Sequence, residues 1–134
     1  MPNDLLVAAE GARHNAVAPY SGFKVGAALE SAGGQVFTGC NIENASLGLT
    51  VCAERVALWK ALSEGEREFR RIAVISDADT PATPCGACRQ LLWEYCGDIP
   101  VQLHAVNGIS RTVQLADLLP LPFDKGYFST GRSD

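Results

Sequence analysis

Hydrophobic and polar positions along the chain switch between two periods, and the switches mark the elements. Asn3 or Asp4 can cap a helix, and apolar residues then recur at helical spacing at Leu5, Leu6, Ala9, Ala12 and Val17. This helix is expected to stop before Pro19, because a residue preceding proline is pushed out of the helical region. Phe23 to Ala32 reads as a strand, Gly33-Gly34 as a hairpin turn and Gln35 to Asn41 as the partner strand. Residues 42 to 50 read as a loop. Cys52 to Leu62 is rich in helix formers, with a partial apolar spacing at Val56, Trp59 and Leu62. It predicts a largely buried helix, ended by Ser63-Glu64-Gly65.

Arg71 to Ser76 is a short apolar run, as expected for a strand covered on both faces. A turn-rich loop (77–84) leads to another helix over Gly86 to Tyr95, stopped near Gly97. Val101 to Val106 and Arg111 to Gln114 read as strands joined at Asn107-Gly108, a strong hairpin signal. A helical turn around Leu115 to Leu119 and a proline-containing tail complete the pattern. The central strand–helix–strand–helix–strand stretch implies right-handed crossovers and helices packed on a sheet. The expected fold class is α/β, a three-layer α/β/α sandwich around a mixed five-stranded sheet. Residues 1–134 carry no repeat or linker and are expected to form one domain, large enough to fold without disulfides.

Composition narrows the partners. Hydrophobic residues make up 47% and charged residues 19%, which argues against disorder. The net charge of −4 argues against a nucleic-acid binder, whose affinity would come from phosphate neutralisation by Lys and Arg. No apolar stretch approaches the ~18–20 residues needed to span a membrane. The first residues show no basic start followed by an apolar run, so no secretory signal is expected and a cytoplasmic location is. The cysteines stand at 40, 52, 85, 88 and 96. An odd number without a secretory signal points to reduced thiols, and close spacing then points to metal or catalysis.

The chemistry concentrates in Cys52-Ala53-Glu54-Arg55 and Pro84-Cys85-Gly86-Ala87-Cys88-Arg89-Gln90, each at the expected start of a helix. Cys85 and Cys88 are three apart, so one helical turn puts both sulfurs on one side. Helix N-termini favour thiolate through unpaired N–H groups and partial positive charge. A CxxC joined by a third cysteine leaves a zinc ion one position for water, the mark of a catalytic rather than a closed structural site. Glu54, two residues after Cys52, is placed to move that water's proton. Three thiolates leave the ion net negative, and Arg55 is expected to withdraw charge from a sulfur.

These residues resemble the short, homotetrameric cytidine deaminases. The likeness also runs through Pro19-Tyr20-Ser21-Gly22-Phe23-Lys24-Val25-Gly26-Ala27-Ala28-Leu29, Thr38-Gly39-Cys40-Asn41-Ile42-Glu43-Asn44-Ala45-Ser46 and Leu118-Leu119-Pro120-Leu121-Pro122-Phe123. The resemblance implies one zinc ion per subunit on Cys52, Cys85 and Cys88, with Glu54 as proton shuttle. It implies that Asn41 and Glu43 hold a ribose hydroxyl, that Phe23 stacks near the base and that the Ala53 backbone meets the pyrimidine edge. Phe123 would reach a neighbouring subunit's site, and the substrate would be cytidine or 2′-deoxycytidine, in pyrimidine salvage. Leu47 departs from the family pattern, which has tyrosine there. A related aminonucleoside such as blasticidin S is the alternative substrate, and a polynucleotide base fits less well with the acidic charge.

Blander readings remain for single residues. Cys85 and Cys88 could form a structural zinc clip in a non-catalytic interaction module, closed into a four-cysteine site by Cys40. Cys40 and Cys96 read otherwise as small apolar residues. Arg89 and Gln90 could face solvent, His104 could be a packed or edge strand residue, and Trp59 and Trp93 could serve core or subunit packing.

Overall fold

The computed structural model describes residues 4–128. Its elements are α1 (Asp4–Arg13), β1 (Val25–Ser31), β2 (Val36–Cys40), α2 (Ala53–Ser63), β3 (Phe69–Ser76), α3 (Gly86–Cys96), β4 (Pro100–Ala105), β5 (Ser110–Gln114) and α4 (Leu115–Leu118). Short 3₁₀ turns occupy Leu47–Leu49 and Lys125–Phe128. The strands form one mixed sheet in the order β2-β1-β3-β4-β5. β3 and β4 are parallel, and every other neighbouring pair is antiparallel. The chain therefore crosses over β1 through α2 to reach β3, and reaches β4 through α3. The mixed α/β sheet expected from the sequence is present.

Alternation sorts the sheet's side chains to two faces. Ala28, Ala73 and Ile75 pack with Leu5 and Ala9 of α1. Ala27, Leu29, Phe37, Ile72, Val74, Val101 and Leu103 point the other way, onto Ala53, Ala57, Leu58 and Ala61 of α2 and Leu92 of α3. Ile72 to Ser76 are all buried, as expected of a strand covered on both faces.

Several boundaries differ from the sequence reading. α1 ends at Arg13, not near Pro19; Val17 lies outside it and bridges to Ile42 instead. Asn3, one of the two expected caps, lies outside the described residues. β1 starts at Val25 rather than Phe23, because the Asn41 side chain takes the Phe23 carbonyl and the Val25 N–H that a ladder would use. The buried face of α2 runs through its alanines and Leu58, while Trp59 is 49% exposed and no part of the core. His104 lies on β4, an interior strand of the sheet and not an edge. Trp93 does pack against the core, with its indole N–H on Asp124 at 3.0 Å.

Two glycines set how closely helices lie on the sheet. A Cβ on Gly26 would fall 2.0 Å from the Ala9 carbonyl oxygen of α1. A Cβ on Gly39 would fall 2.4 Å from the Ala53 carbonyl oxygen and 2.6 Å from the Ala57 nitrogen of α2. Backbone thus meets backbone, and no side chain can yield. At its other end α2 closes on Gly65 at φ +95°, where Glu66 N–H bonds to the Ala61 carbonyl and Gly65 N–H to that of Leu62.

Gly39→Ala is expected to lower the unfolding free energy by about 1–3 kcal/mol in a denaturant melt, since α2 must lift off β2. Gly11→Ala is the control, in α1 with nothing near its missing Cβ. It is expected to raise stability by about 0.5–1 kcal/mol. Equal effects would remove the close-approach account.

Candidate active site

The site forms where two helices begin. Ile42 and Val51 exchange backbone hydrogen bonds at 2.9 Å each, closing the 42–51 loop and delivering the chain to Cys52. Cys52 caps α2 in extended conformation, at φ −75° and ψ 153°. Cys85 caps α3 in the same way, at φ −65° and ψ 164°, after the buried Pro84. Cys88 follows in the first turn of α3 and is buried. The three sulfurs lie within 4.8 Å of one another, with Cys52 Sγ and Cys85 Sγ 3.8 Å apart. A tetrahedral zinc with bonds of about 2.3 Å spaces its sulfurs by roughly 3.8 Å, so the trio fits that ion. Among the described residues no fourth His, Cys, Asp or Glu joins the group, and Cys40 stands outside it. The closed four-cysteine reading therefore fails.

Charge in the trio is unevenly held. Hydrogen bonding from Cys88 brings the Cys52 thiol down to about 6; burial opposes this, while Cys85 and the Arg55 charge assist. Cys88 is pushed far up, first because its proton is donated to Cys52 and then by burial and the nearby Glu54 charge. Arg55 extends Nη2 toward Cys88 Sγ at 4.0 Å, and its guanidinium lies 5.9 Å from the Trp59 ring. Its Nε is buried with no hydrogen-bond partner among the described residues. Arg55 thus stands where the sequence reading expected charge withdrawal from a sulfur.

Glu54 lies in the first turn of α2 and is only 5% exposed. Burial pushes its carboxyl up to about 7; its own backbone N–H and Arg55 pull the other way, and Cys52 adds to the rise. A carboxyl balanced near neutrality can both take and give a proton. It opens into a cavity of about 210 Å³ lined by Phe23, Val25, Asn41, Cys52, Ala53 and Cys85, together with Thr50, Val51, Val74, Ser76, Ala82 and Thr83. That volume exceeds the ~150 Å³ cavity that admits benzene, so a six-membered ring has room.

The structure brings Phe23, Asn41, Ala53 and Glu54 to one cavity with two of the cysteines, and Cys88 completes the sulfur cluster beside it. Phe23 is 38% exposed at the mouth. Asn41 is buried, accepting from Val25 N–H at 2.9 Å and donating to the Phe23 carbonyl at 2.8 Å. Among the described residues its second N–H and second lone pair take no further side-chain bond. Glu43 lies in an adjoining hollow with Tyr20, Ser21, Leu47 and Thr50, and not in the cavity lining. Its carboxylate binds the Ser21 hydroxyl and the backbone N–H groups of Tyr20 and Ser21, which hold it below the usual carboxylate range. Phe123 is 61% exposed, stacked on Tyr127 and outside the cavity lining.

Arg89 and Gln90 do not simply face solvent. Arg89 clamps the approach to Cys85, donating to the Pro84 carbonyl at 2.8 Å, Thr83 Oγ1 at 2.7 Å and the Leu118 carbonyl at 2.9 Å. Gln90 donates to the Phe123 carbonyl at 2.7 Å. Sequence reasoning missed the lining residues Thr50, Val51, Ala82 and Thr83, although each shortly precedes a cysteine motif. It also missed Val74 and Ser76, which the rule that ligands bind beyond the carboxyl ends of strands would have marked.

Fold and site together give a sulfur trio fit for a zinc ion beside a buried carboxyl, and comparison with known proteins places the chain. The family model for the "cytidine and deoxycytidylate deaminase zinc-binding region" matches residues 3–101. The chain belongs to that family. It is 46% identical over 122 residues to a cytidine deaminase of Sporosarcina psychrophila, covering 90% of each chain. The crystal structure of a cytidine deaminase from Burkholderia pseudomallei superposes with a TM-score of 0.87 at 49% identity, covering 92% of this chain and all of that one. A blasticidin-S deaminase of Bacillus cereus is more distant, at 30% identity over 109 residues, covering 75% of this chain and 77% of that one. Among the described residues no helix is long and apolar enough to cross a membrane.

Thiols must lose protons to bind zinc. Because Cys88 holds its proton well above neutrality, zinc uptake at pH 7 is expected to release at least one proton per ion. Calorimetric titration of the apoprotein in two buffers of different ionisation enthalpy measures this. By the same sign, affinity falls as pH is lowered. Uptake without proton release would remove the thiol account.

Proposed function

We infer that the protein is a zinc-dependent deaminase that hydrolyses cytidine and 2′-deoxycytidine to uridine and 2′-deoxyuridine, releasing ammonia. The observation that carries this reading is a buried Glu54 carboxyl opening into the cavity that the sulfur trio borders. Cys52, Cys85 and Cys88 hold the zinc. Zinc so held supplies Lewis acidity, which brings the ionisation of water close to neutral pH.

Glu54 takes a proton from the attacking water and places it on ring N3 as the oxygen adds to C4. It then takes the hydroxyl proton of the tetrahedral adduct and gives it to the amino nitrogen, which leaves as ammonia. The shuttle needs a carboxyl equally able to accept and donate, which burial provides here. Phe23 stacks on the base, the Ala53 backbone meets its polar edge, and Asn41 with Glu43 takes the ribose. The identity to cytidine deaminases, higher than to the blasticidin-S enzyme, favours cytidine as substrate.

The same reading makes residues 1–134 one catalytic domain acting in pyrimidine salvage in the cytoplasm, as a homotetramer. Support for assembly comes from large apolar side chains left open: Leu47 at 75%, Leu49 at 66%, Trp59 at 49% and Phe123 at 61% exposure. Phe123 then reaches a neighbouring copy's site.

Glu54→Gln is expected to cut kcat/KM for cytidine by at least about 10²–10⁴-fold, with one zinc ion per subunit retained. Ammonia release and metal analysis on the same preparation check both halves. Near-normal turnover in that variant would falsify the shuttle.

A further inference from the structure

Phe23 sits where neither a helix nor a strand ladder holds the backbone, between Gly22 at φ +68° and the start of β1. Side chains hold it instead. Phe23 N–H donates to Ser21 Oγ at 3.0 Å, and its carbonyl accepts from Asn41 Nδ2 at 2.8 Å. The next residue is held from the opposite side. Lys24 N–H donates to Asp77 Oδ2 at 2.8 Å, and the Lys24 carbonyl accepts from Asp77 N–H at 3.2 Å. Both backbone polar groups of Lys24 thus end on Asp77.

Asp77 is itself held. Its other carboxylate oxygen, Oδ1, accepts from Arg13 Nη1 at 2.6 Å, and Arg13 Nε donates to Glu10 Oε1 at 2.6 Å. The Arg13 side chain is 15% exposed and that of Asp77 29%, so the bonds are shielded more than a surface ion pair. Asp77 does not line the cavity. It directly follows Ser76, the last residue of β3, which does. The chain of contacts therefore runs from α1 through an ion pair to the peptide beside Phe23.

We propose that Asp77, anchored by Arg13, is a positioning residue that fixes the Lys24 peptide and so sets the angle at which the Phe23 ring faces the cavity. This rests on reading the cavity as a nucleoside site. The sulfurs and Glu54 hang on α2 and α3 and share no hydrogen bond with Asp77, so its loss disturbs the mouth and spares the chemistry. Removing binding common to ground and transition states raises KM and leaves kcat in place.

The test compares Asp77→Ala, Asp77→Asn and Arg13→Ala with the unaltered zinc-loaded protein. Asp77→Ala is expected to raise KM for cytidine about 5- to 20-fold, as Lys24 N–H and Arg13 Nη1 both lose the carboxylate, with kcat within about twofold and zinc content unchanged. Asp77→Asn keeps an oxygen for Lys24 N–H and is expected to recover most of the loss; Arg13→Ala falls between. Amide hydrogen exchange supplies a readout that needs no turnover: Lys24 N–H should exchange at least about tenfold faster in Asp77→Ala, with the amides of β3 unchanged. An unchanged KM, an equal loss in kcat, or unaltered Lys24 exchange overturns the proposal. Should the unaltered protein fail to deaminate cytidine, the substrate reading falls and the exchange result alone decides the role of Asp77.

Discussion

The contact on which the site depends is a helix lying backbone-to-backbone on a strand. At Gly39 the α2 backbone comes closer to β2 than any side chain would permit, with the Ala53 carbonyl 2.4 Å from where a Cβ would stand. The face of α2 turned to the sheet is correspondingly small, with Ala53, Ala57 and Ala61 at zero exposure. Packing this tight leaves little freedom in height or tilt, because interiors of native density yield only by shifting backbone. The N-terminus of α2 is thereby fixed over the sheet, and Cys52, Ala53 and Glu54 with it. α3 meets it from the other side, held by Leu92 in the same core and by Arg89 across the loop before Cys85. A spacing of 3.8 Å between sulfurs on two different helices is the product of those restraints.

Bringing three sulfurs together creates an electrostatic problem that the surroundings only partly relieve. Two like charges 4 Å apart repel by about 4 kcal/mol at an effective dielectric constant near 20. Without a metal, hydrogen bonding lowers the Cys52 thiol while hydrogen bonding and burial raise that of Cys88. Two helix N-termini and the Arg55 guanidinium supply the positive potential within reach. None of these equals a divalent cation. Glu54 sits in the same buried field, and its raised affinity for protons follows first from that burial. One environment thus acts on both, favouring a cation at the sulfurs and raising the proton affinity of the carboxyl beside them.

The sequence made the elements legible because their signals were local. Hairpin turns at Gly33-Gly34 and Asn107-Gly108, apolar runs for β3 and β4, and cysteine motifs at helix starts each needed only a few neighbouring residues. The misjudged points needed distant ones. Where β1 begins depends on the Asn41 side chain, 16 residues away from Val25. The core face of α2 was hidden because its residues are alanines, whose hydrophobic signal is weak, while Trp59 on the outer face drew the eye. Whether Arg89 faces solvent was open in the sequence, since its partners Thr83 and Leu118 come from both sides of it. The metal cluster could be read from spacing. That Glu43 stands in a hollow adjoining the cavity at Thr50, with its carboxylate on Ser21 and Tyr20, could not.

Floor and rim of the cavity are consequently built by different physics. The floor, with its sulfurs and Glu54, is carried by two helices sunk in one apolar core, where a substitution is felt through packing. The rim is carried by residues 21–24 and the 42–51 loop, which hold their shape through side-chain-to-backbone hydrogen bonds and local backbone bonds such as the pair between Ile42 and Val51. Such bonds can be exchanged one at a time at a cost of about 1 kcal/mol each, without moving the core. Leu47 falls on the rim at 75% exposure, where it lines the Glu43 hollow. Change at that position can alter what the mouth admits, while the sulfur spacing below stays as α2 and α3 set it.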